Sequence, residues 1–123
     1  MFALVATVAL AIVRLRPFRV EVRGDSMRPT LEAGDWCVAT ARGRIRKRDI
    51  VVVERPDQPG LELVKRITGA PGEEGLGFGE WFVEGDDPDA STDSRQFGPV
   101  RREAIRGRVV LVYWPRRRWR LLR

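Results

Sequence analysis

The stretch that decides how this chain is organised is GDSMRPTL, residues 24–31. It follows residues 18–23, in which apolar and charged side chains alternate as they do in a half-buried strand. Gly24 lets the backbone turn sharply, and Pro29 fixes the backbone just beyond. Ser26 is therefore expected at the end of a strand, either as a turn residue or as a nucleophile.

The composition limits the chemistry that Ser26 can support. The chain has no histidine and a single cysteine, Cys37. This excludes nucleophiles activated by histidine, zinc sites built from histidine or clustered thiolates, and a disulfide within the chain. We therefore predict no metal and no cofactor. Because arginine keeps its proton in proteins, the base for a serine nucleophile would be a lysine or a carboxylate.

One lysine has the surroundings of a base. Lys47 lies in an arginine-rich run, whereas Lys65 lies in the apolar segment 61–67 and shares a strand face with its leucines and isoleucine. Loss of solvation there lowers the pKa of an amine from about 10.4 toward the roughly 7–8 that suits a general base. The alternative is an edge-strand lysine whose ammonium reaches water. The presence of both Ser26 and Lys65 in the same chain favours the interpretation of Lys65 as a general base.

Both ends of the chain have features suited to a membrane. Residues 1–13 are apolar apart from Thr7, and as a helix they would span about 20 Å, short of the roughly 30 Å hydrocarbon core. We interpret residues 1–16 as a short membrane anchor, with a buried N-terminal helix or strand as the alternative. Residues 116–123 form a basic tail that contains tryptophan and leucine. Such a tail suits a membrane interface or a frayed end.

The net charge of +6 permits contact with anionic lipid or nucleic acid. The sequence contains neither a recognition helix nor an RNA-binding signature. Membrane lipid is therefore an expected partner and nucleic acid is not.

Short apolar runs separated by Gly/Pro turns predict a single, mostly β domain of antiparallel strands with a short N-terminal helix. Strands are expected near residues 18–23, 36–40, 50–53, 61–67, 81–83 and 109–114. The strand that carries Lys65 should return as a hairpin through the turn at 55–60. A helical turn is expected at residues 100–105, ended by Gly107.

Four segments in series resemble the type I signal peptidase family of serine proteases. They are residues 24–31, similar to its nucleophile box, 48–52, similar to the strand motif that follows, 64–73, similar to its lysine box, and 84–100, similar to its last block. The matches span residues 22–115, and we interpret residues 17–115 as a Ser-Lys peptidase catalytic domain. The short interval from Lys65 to Gly85 leaves no space for the large additional β-domain of bigger members.

The resemblance implies catalytic roles for three residues. Ser26 would be the nucleophile, and Lys65 would be its general base, neutral so that it can take the hydroxyl proton. Ser91 matches a second serine whose hydroxyl orients the lysine amine. The Ser26 backbone N–H would hold the oxyanion. Gly24 stands where some members carry a serine that adds a side-chain donor.

The resemblance also implies supporting residues around the site. Asp93 and Arg95 match a structural ion pair beneath it. Met27 and Pro29 are expected beside the substrate pocket. Asp87 stands where the family usually has asparagine.

The implied function is a membrane-associated endopeptidase, with a single N-terminal anchor, that cleaves signal peptides or propeptides from precursor proteins after a small residue. The precursor would bind as an extended strand. The short, arginine-rich form also resembles the maturation proteases of nickel-type superoxide dismutase, which remove one propeptide. General signal peptidases hold the catalytic domain outside the membrane, whereas Arg14, Arg16 and Arg19 favour a cytoplasmic domain. Both orientations stay open.

Two alternatives come from other classes of protein. A self-cleaving repressor domain also uses a Ser-Lys pair, but no helix-turn-helix precedes Ser26. A non-enzymatic, basic membrane-binding module would need no nucleophile at all.

Overall fold

Eight antiparallel strands dominate the structure, a computed structural model that describes residues 2–123, with only the backbone of residue 12. The strands are β1 Pro17–Glu21, β2 Trp36–Thr40, β3 Ile50–Glu54, β4 Glu62–Gly69, β5 Glu80–Glu84, β6 Val100–Arg101, β7 Ile105–Trp114 and β8 Arg120–Leu121. The helices are α1 Phe2–Leu15 and α2 Ser94–Phe97, with short 3-10 helices at Pro88–Ala90, Arg102–Ala104 and Arg116–Arg118. The prediction of a mostly β, antiparallel fold with a short N-terminal helix is confirmed.

The strands follow one another across the sheet in the order β1-β2-β7-β3-β4-β5-β6, and β8 pairs with β7. The expected hairpin is present, because β3 and β4 pair with Val51 opposite Lys65. A continuous row of paired residues crosses five strands: Pro17 faces Thr40, Thr40 faces Arg108, Arg108 faces Val51, and Val51 faces Lys65. This row joins the start of β1, where α1 ends, to the buried lysine.

The helical turn expected at residues 100–105 is present only as a short 3-10 helix at Arg102–Ala104, and Gly107 does not end it. The segment forms β6 and a 3-10 helix, and β7 then begins at Ile105 and runs through Gly107. A Cβ at Gly107 would lie 2.6 Å from the carbonyl oxygen of Thr40 and 2.8 Å from the ring of Phe18. This glycine therefore allows neighbouring strands to approach closely inside the sheet and does not end a helix.

Two clusters of buried apolar residues form the core. The first includes Met27 and Leu31 from the turn after β1, together with Cys37 of β2. The second includes Val51 of β3 and Ile67 of β4. Val51 lies opposite Lys65, and Ile67 lies two positions beyond it on the same strand face. The lysine is thus set into the edge of an apolar layer.

The two ends of the chain behave differently. The described side chains of α1 are exposed, so the buried-helix alternative is not what is observed. Within residues 2–123, none of the helices has the length and hydropathy required to cross a bilayer. The basic tail, residues 116–123, does not fray: β8 pairs with β7, and Leu122 packs against the first cluster. Arg118 pairs with buried Asp35 at 2.8 Å, which fixes this segment further.

Candidate active site

Lys65 is a buried amine in the middle of β4, with 3% of its surface exposed. Its Nζ donates a hydrogen bond of 2.9 Å to Ser91 Oγ. Burial lowers the pKa of Lys65 below its ordinary value, although the charge of Asp93 opposes the shift. An amine with this environment reaches its neutral, proton-accepting form more readily than a lysine in water.

Ser91 connects this amine to a buried carboxylate. Its hydroxyl donates to Asp93 Oδ2 at 2.5 Å, so the hydroxyl proton is directed at Asp93. The backbone N–H of Gly85 donates to the same two groups, at 3.2 Å to Ser91 Oγ and 2.8 Å to Asp93 Oδ2. Because Ser91 donates its hydroxyl proton to the carboxylate, a lone pair on Ser91 Oγ can accept the hydrogen bond from the Lys65 amine. This arrangement fixes where Nζ points.

Asp93 is completely buried and holds several elements together. It caps α2 in a reciprocal capping box with Gln96 and pairs with Arg95 at 2.7 Å. Burial alone would raise the pKa of Asp93, but hydrogen bonds from Arg95, Ser91 and the Gly85 N–H together lower it well below its usual range. The carboxylate is therefore charged at every pH at which the protein is expected to work.

Ser26 lies in the turn after β1 and is partly buried. Its carbonyl oxygen accepts a hydrogen bond of 2.8 Å from the Asp87 N–H. A Cβ placed on Gly85 would collide with Ser91 Oγ and would lie 2.6 Å from the Ser26 carbonyl oxygen. Gly85 therefore lies between the Ser26 turn and Ser91, in close contact with both. Among the described residues, the Nζ hydrogen bond goes to Ser91, and none is formed with Ser26 Oγ.

A second polar network also fixes the Ser26 turn, and no role was predicted for its residues from the sequence. Asp86 accepts two hydrogen bonds from Arg66, both of 2.8 Å, and one of 2.5 Å from Thr30 Oγ1. Arg66 also donates to the Arg48 carbonyl oxygen. Thr30 belongs to the Ser26 turn, and Arg66 follows Lys65 directly. The available signal was the position of Arg66 and Asp86 inside the lysine box and the last block.

The two residues expected near a substrate pocket lie in different environments. Met27 is 1% exposed and belongs to the first apolar cluster, so its side chain supports the turn from within the core. Pro29 is exposed and lines a shallow depression with Arg28, Asp86 and Asp87. Their roles beside a bound substrate stay a prediction.

Comparison with known proteins places the chain in a family. The family described as signal peptidase, peptidase S26, matches residues 1–74 and 76–114. The chain is 36% identical to the mitochondrial inner membrane protease subunit 1 of Xenopus tropicalis, over 75% of this chain and 66% of that protein. The human subunit 1 is 33% identical over the same shares. Subunit 2 of Saccharomyces cerevisiae is 30% identical over 80% of this chain and 69% of that protein.

The chain thus spans just under two thirds of the length of the Xenopus and human relatives. The matched residues include the Ser26 turn, β4 with Lys65, and the segment from Gly85 to Arg95. On these grounds the chain belongs to the signal peptidase family, peptidase S26.

Proposed function

We propose that this chain is a serine endopeptidase with a Ser-Lys dyad that removes signal peptides or propeptides from precursor proteins. The observation that carries the proposal is the buried Lys65 amine, held by Ser91 next to the turn that presents Ser26. Ser91 fixes the orientation of the amine, and burial favours its neutral form. Family membership supports the same chemistry.

The proposed reaction proceeds in two halves. The Ser26 hydroxyl attacks the carbonyl carbon of the bond to be cut, and its proton passes to the neutral Lys65 amine. The resulting ammonium returns that proton to the departing amine, which leaves an ester on Ser26. Water then attacks the ester with Lys65 again as base, releasing the acid and restoring the hydroxyl. The transfer requires Nζ and Ser26 Oγ to come within hydrogen-bond reach, and such bonds often tighten only when substrate is bound.

The oxyanion would be stabilised by the backbone N–H of Ser26. Among the described residues, this N–H donates no hydrogen bond, so it is available for a developing negative charge. Gly24 contributes no hydroxyl. This site therefore relies on backbone donors more than family members that carry a serine at that place.

The precursor would add as a strand next to β1. β1 is an edge strand of the sheet and leads directly into the Ser26 turn. A cleft of about 450 Å³ lies alongside it, lined on the other side by Val52, Leu61 and Val64 from β3, β4 and the turn between them. An extended peptide placed there gains main-chain hydrogen bonds from β1 and apolar contacts from the opposite wall.

Membrane association through α1 completes the proposal. The helix exposes large apolar side chains, among them Phe2 at 87% and Leu4 at 68%. The relatives are named as inner membrane proteases. An exposed apolar helix of 14 residues suits insertion into the interfacial layer of a bilayer.

The test is cleavage by the purified full chain on a panel of precursors. We expect wild type to cleave, and Ser26→Ala and Lys65→Ala to lose turnover while keeping the fold by circular dichroism. Lys47→Ala is the matched control, since Lys47 is an exposed lysine paired with Glu73. Cleavage by Ser26→Ala at the wild-type rate would overturn the proposal.

The same panel separates the general from the dedicated role. It should contain secreted precursors with a small residue before the cut and a nickel-type superoxide dismutase precursor with its propeptide. Cleavage of several secreted precursors supports a general signal peptidase. Cleavage of the dismutase precursor alone would restrict the enzyme to maturation of that one protein.

A further inference from the structure

A strongly cationic cleft of about 540 Å³ lies between residues 46–50 and the C-terminal residues 120–123. Of the thirteen described residues that line it, seven are arginine or lysine and one, Asp49, is acidic. Apolar side chains, including Leu121 and Leu122, form part of the wall. The proposed dyad chemistry uses none of these side chains directly, while Thr30 and Arg66 in the wall also belong to the Asp86 network that fixes the Ser26 turn.

Intramolecular ion pairs neutralise only part of this charge. Arg66 is paired with Asp86, Lys47 with Glu73, and Arg123 with Asp49. No carboxylate among the described residues forms an ion pair with the remaining four, Arg46, Arg48, Arg108 and Arg120. Arg120 donates to the Thr30 carbonyl oxygen. The cleft therefore retains an excess of positive charge that the fold does not balance.

Arg108 is a cation of the cleft that is both partly buried and close to other cations. It lies on β7 and is partly buried. Burial and the neighbouring charge of Arg123 lower the pKa of Arg108, with Arg46 acting in the same direction and Asp49 against it. Cations held close together in a partly buried cleft favour binding of an anion, which relieves their mutual repulsion.

We propose that this cleft binds the phosphate of an anionic phospholipid headgroup. Guanidinium groups match phosphate oxygens with paired donors and are less strongly hydrated than ammonium groups. The rim of the cleft carries exposed apolar side chains, with Leu121 72% exposed and Trp119 in the adjoining segment 58% exposed. A soluble anion gains nothing from such a rim, whereas lipid acyl chains and the interfacial layer do.

The position of the cleft supports a lipid ligand. Arg108 faces Thr40, and Thr40 faces Pro17, the first residue of β1, which follows α1. The exposed apolar helix and the cationic cleft therefore belong to the same end of the sheet. An apolar contact and a cationic contact at the same end together attach a protein to a membrane more stably than either does alone. This inference goes beyond the proposed peptidase chemistry and does not depend on it, and it rests on the proposed membrane association of α1.

The test is co-sedimentation of the full chain with vesicles of phosphatidylcholine, with and without phosphatidylglycerol. Binding to neutral vesicles measures the contribution of α1. The contribution of the cleft is therefore measured by the anionic preference, the ratio of the partition coefficient on vesicles with phosphatidylglycerol to that on vesicles without it. Arg46→Gln/Arg108→Gln should lower the anionic preference about 30-fold, as expected for two cations close to an anionic surface. The control pair, Arg101→Gln/Arg106→Gln, removes the same charge outside the cleft and should change the ratio less than threefold.

Several results would overturn the proposal. If both double variants lost the anionic preference to the same extent, only the net charge of the protein would matter and not the cleft. Inorganic phosphate that binds wild type as tightly, per phosphate, as phosphatidylglycerol vesicles would make the ligand a soluble anion. A single-stranded oligonucleotide preferred over vesicles, with the preference lost in Arg46→Gln/Arg108→Gln, would make it a nucleic acid. If that variant does not fold, Arg46→Gln alone, at an exposed position, should still lower the ratio about fivefold.

Discussion

The Lys65 amine and the Ser91 hydroxyl form a 2.9 Å hydrogen bond inside the protein, and Ser91 in turn donates to Asp93. The bond joins β4 to the segment after β5 and gives a flexible side chain one direction. It also leaves the amine with a neutral hydroxyl as its direct partner and keeps the carboxylate one group away. The amine thus avoids a direct ion pair, which would strongly stabilise its charged form.

We expect cleavage to rise with pH as Lys65 loses its proton, with a midpoint below 10.5, the reference value for lysine. Burial lowers the pKa of Lys65, so the neutral amine appears earlier in a pH titration. The free energy of unfolding should also rise between the folded pKa and 10.5, because the unfolded chain binds that proton more tightly. A pH profile of kcat/KM measures the first effect, and a midpoint at or above 10.5 would contradict it.

Asp93→Asn should destabilise the protein by about 2–4 kcal/mol at neutral pH, because a buried carboxylate loses charge-assisted hydrogen bonds. The pKa of Asp93 is lowered in the folded state, so its stabilising effect is present above pH 3.8 and disappears as the pH falls through the folded pKa. The wild type and the variant should therefore converge in acid. Chemical denaturation at several pH values measures this difference. Asp89→Asn, at an exposed position, is the control and should be neutral.

Gly85→Ala should displace the Ser26 turn. The new methyl group would collide with Ser91 and with the Ser26 carbonyl oxygen. We expect a loss of about 1–3 kcal/mol in stability from overpacking and about a hundredfold loss of kcat from misplaced reacting groups. Steady-state kinetics with thermal unfolding tests both. Gly77→Ala is the control, since a methyl group there would have the Glu80 side chain as its nearest neighbour, at 3.1 Å. If Gly85→Ala kept both the stability and the kcat of wild type, the prediction would be contradicted.

Asp86→Asn should weaken the network that links Thr30 to Arg66. One charged acceptor of three hydrogen bonds is lost, so stability should fall by about 1–3 kcal/mol. We expect kcat to fall about tenfold with a smaller change in KM, since the turn positions Ser26, the proposed nucleophile. Asp57→Asn removes the carboxylate of another arginine pair, Arg55–Asp57, at an exposed site, and should leave both parameters unchanged. A rise in KM with kcat unchanged would contradict a positioning role.

Much of the fold could be predicted from the sequence because apolar residues alternate where strands form. β2 was predicted with the bounds observed, and the turn at residues 55–60 joins the predicted hairpin. The same alternation put Lys65 on the apolar face of its strand, which is why its burial could be expected. These are local signals, readable within a few positions.

The remaining features depend on distant contacts. Gly107 has the appearance of a helix end, but its role is set by Thr40 and Phe18 on other strands. Thr30 and Asp86 are 56 positions apart, and no periodicity links them. Likewise, the C-terminal residues pair with β7, and Arg118 forms an ion pair with the buried Asp35. Neither contact could be predicted from the composition of the tail.

The row of paired residues from Pro17 to Lys65 crosses four gaps between strands, so it measures at most about 19 Å along the sheet. With α1 in a bilayer and a precursor tethered in the same membrane, as proposed, that length would limit how far from the lipid surface the peptide bond can lie when it is cut. A substrate would then be selected by the length of its tether as well as by the side chains around the bond.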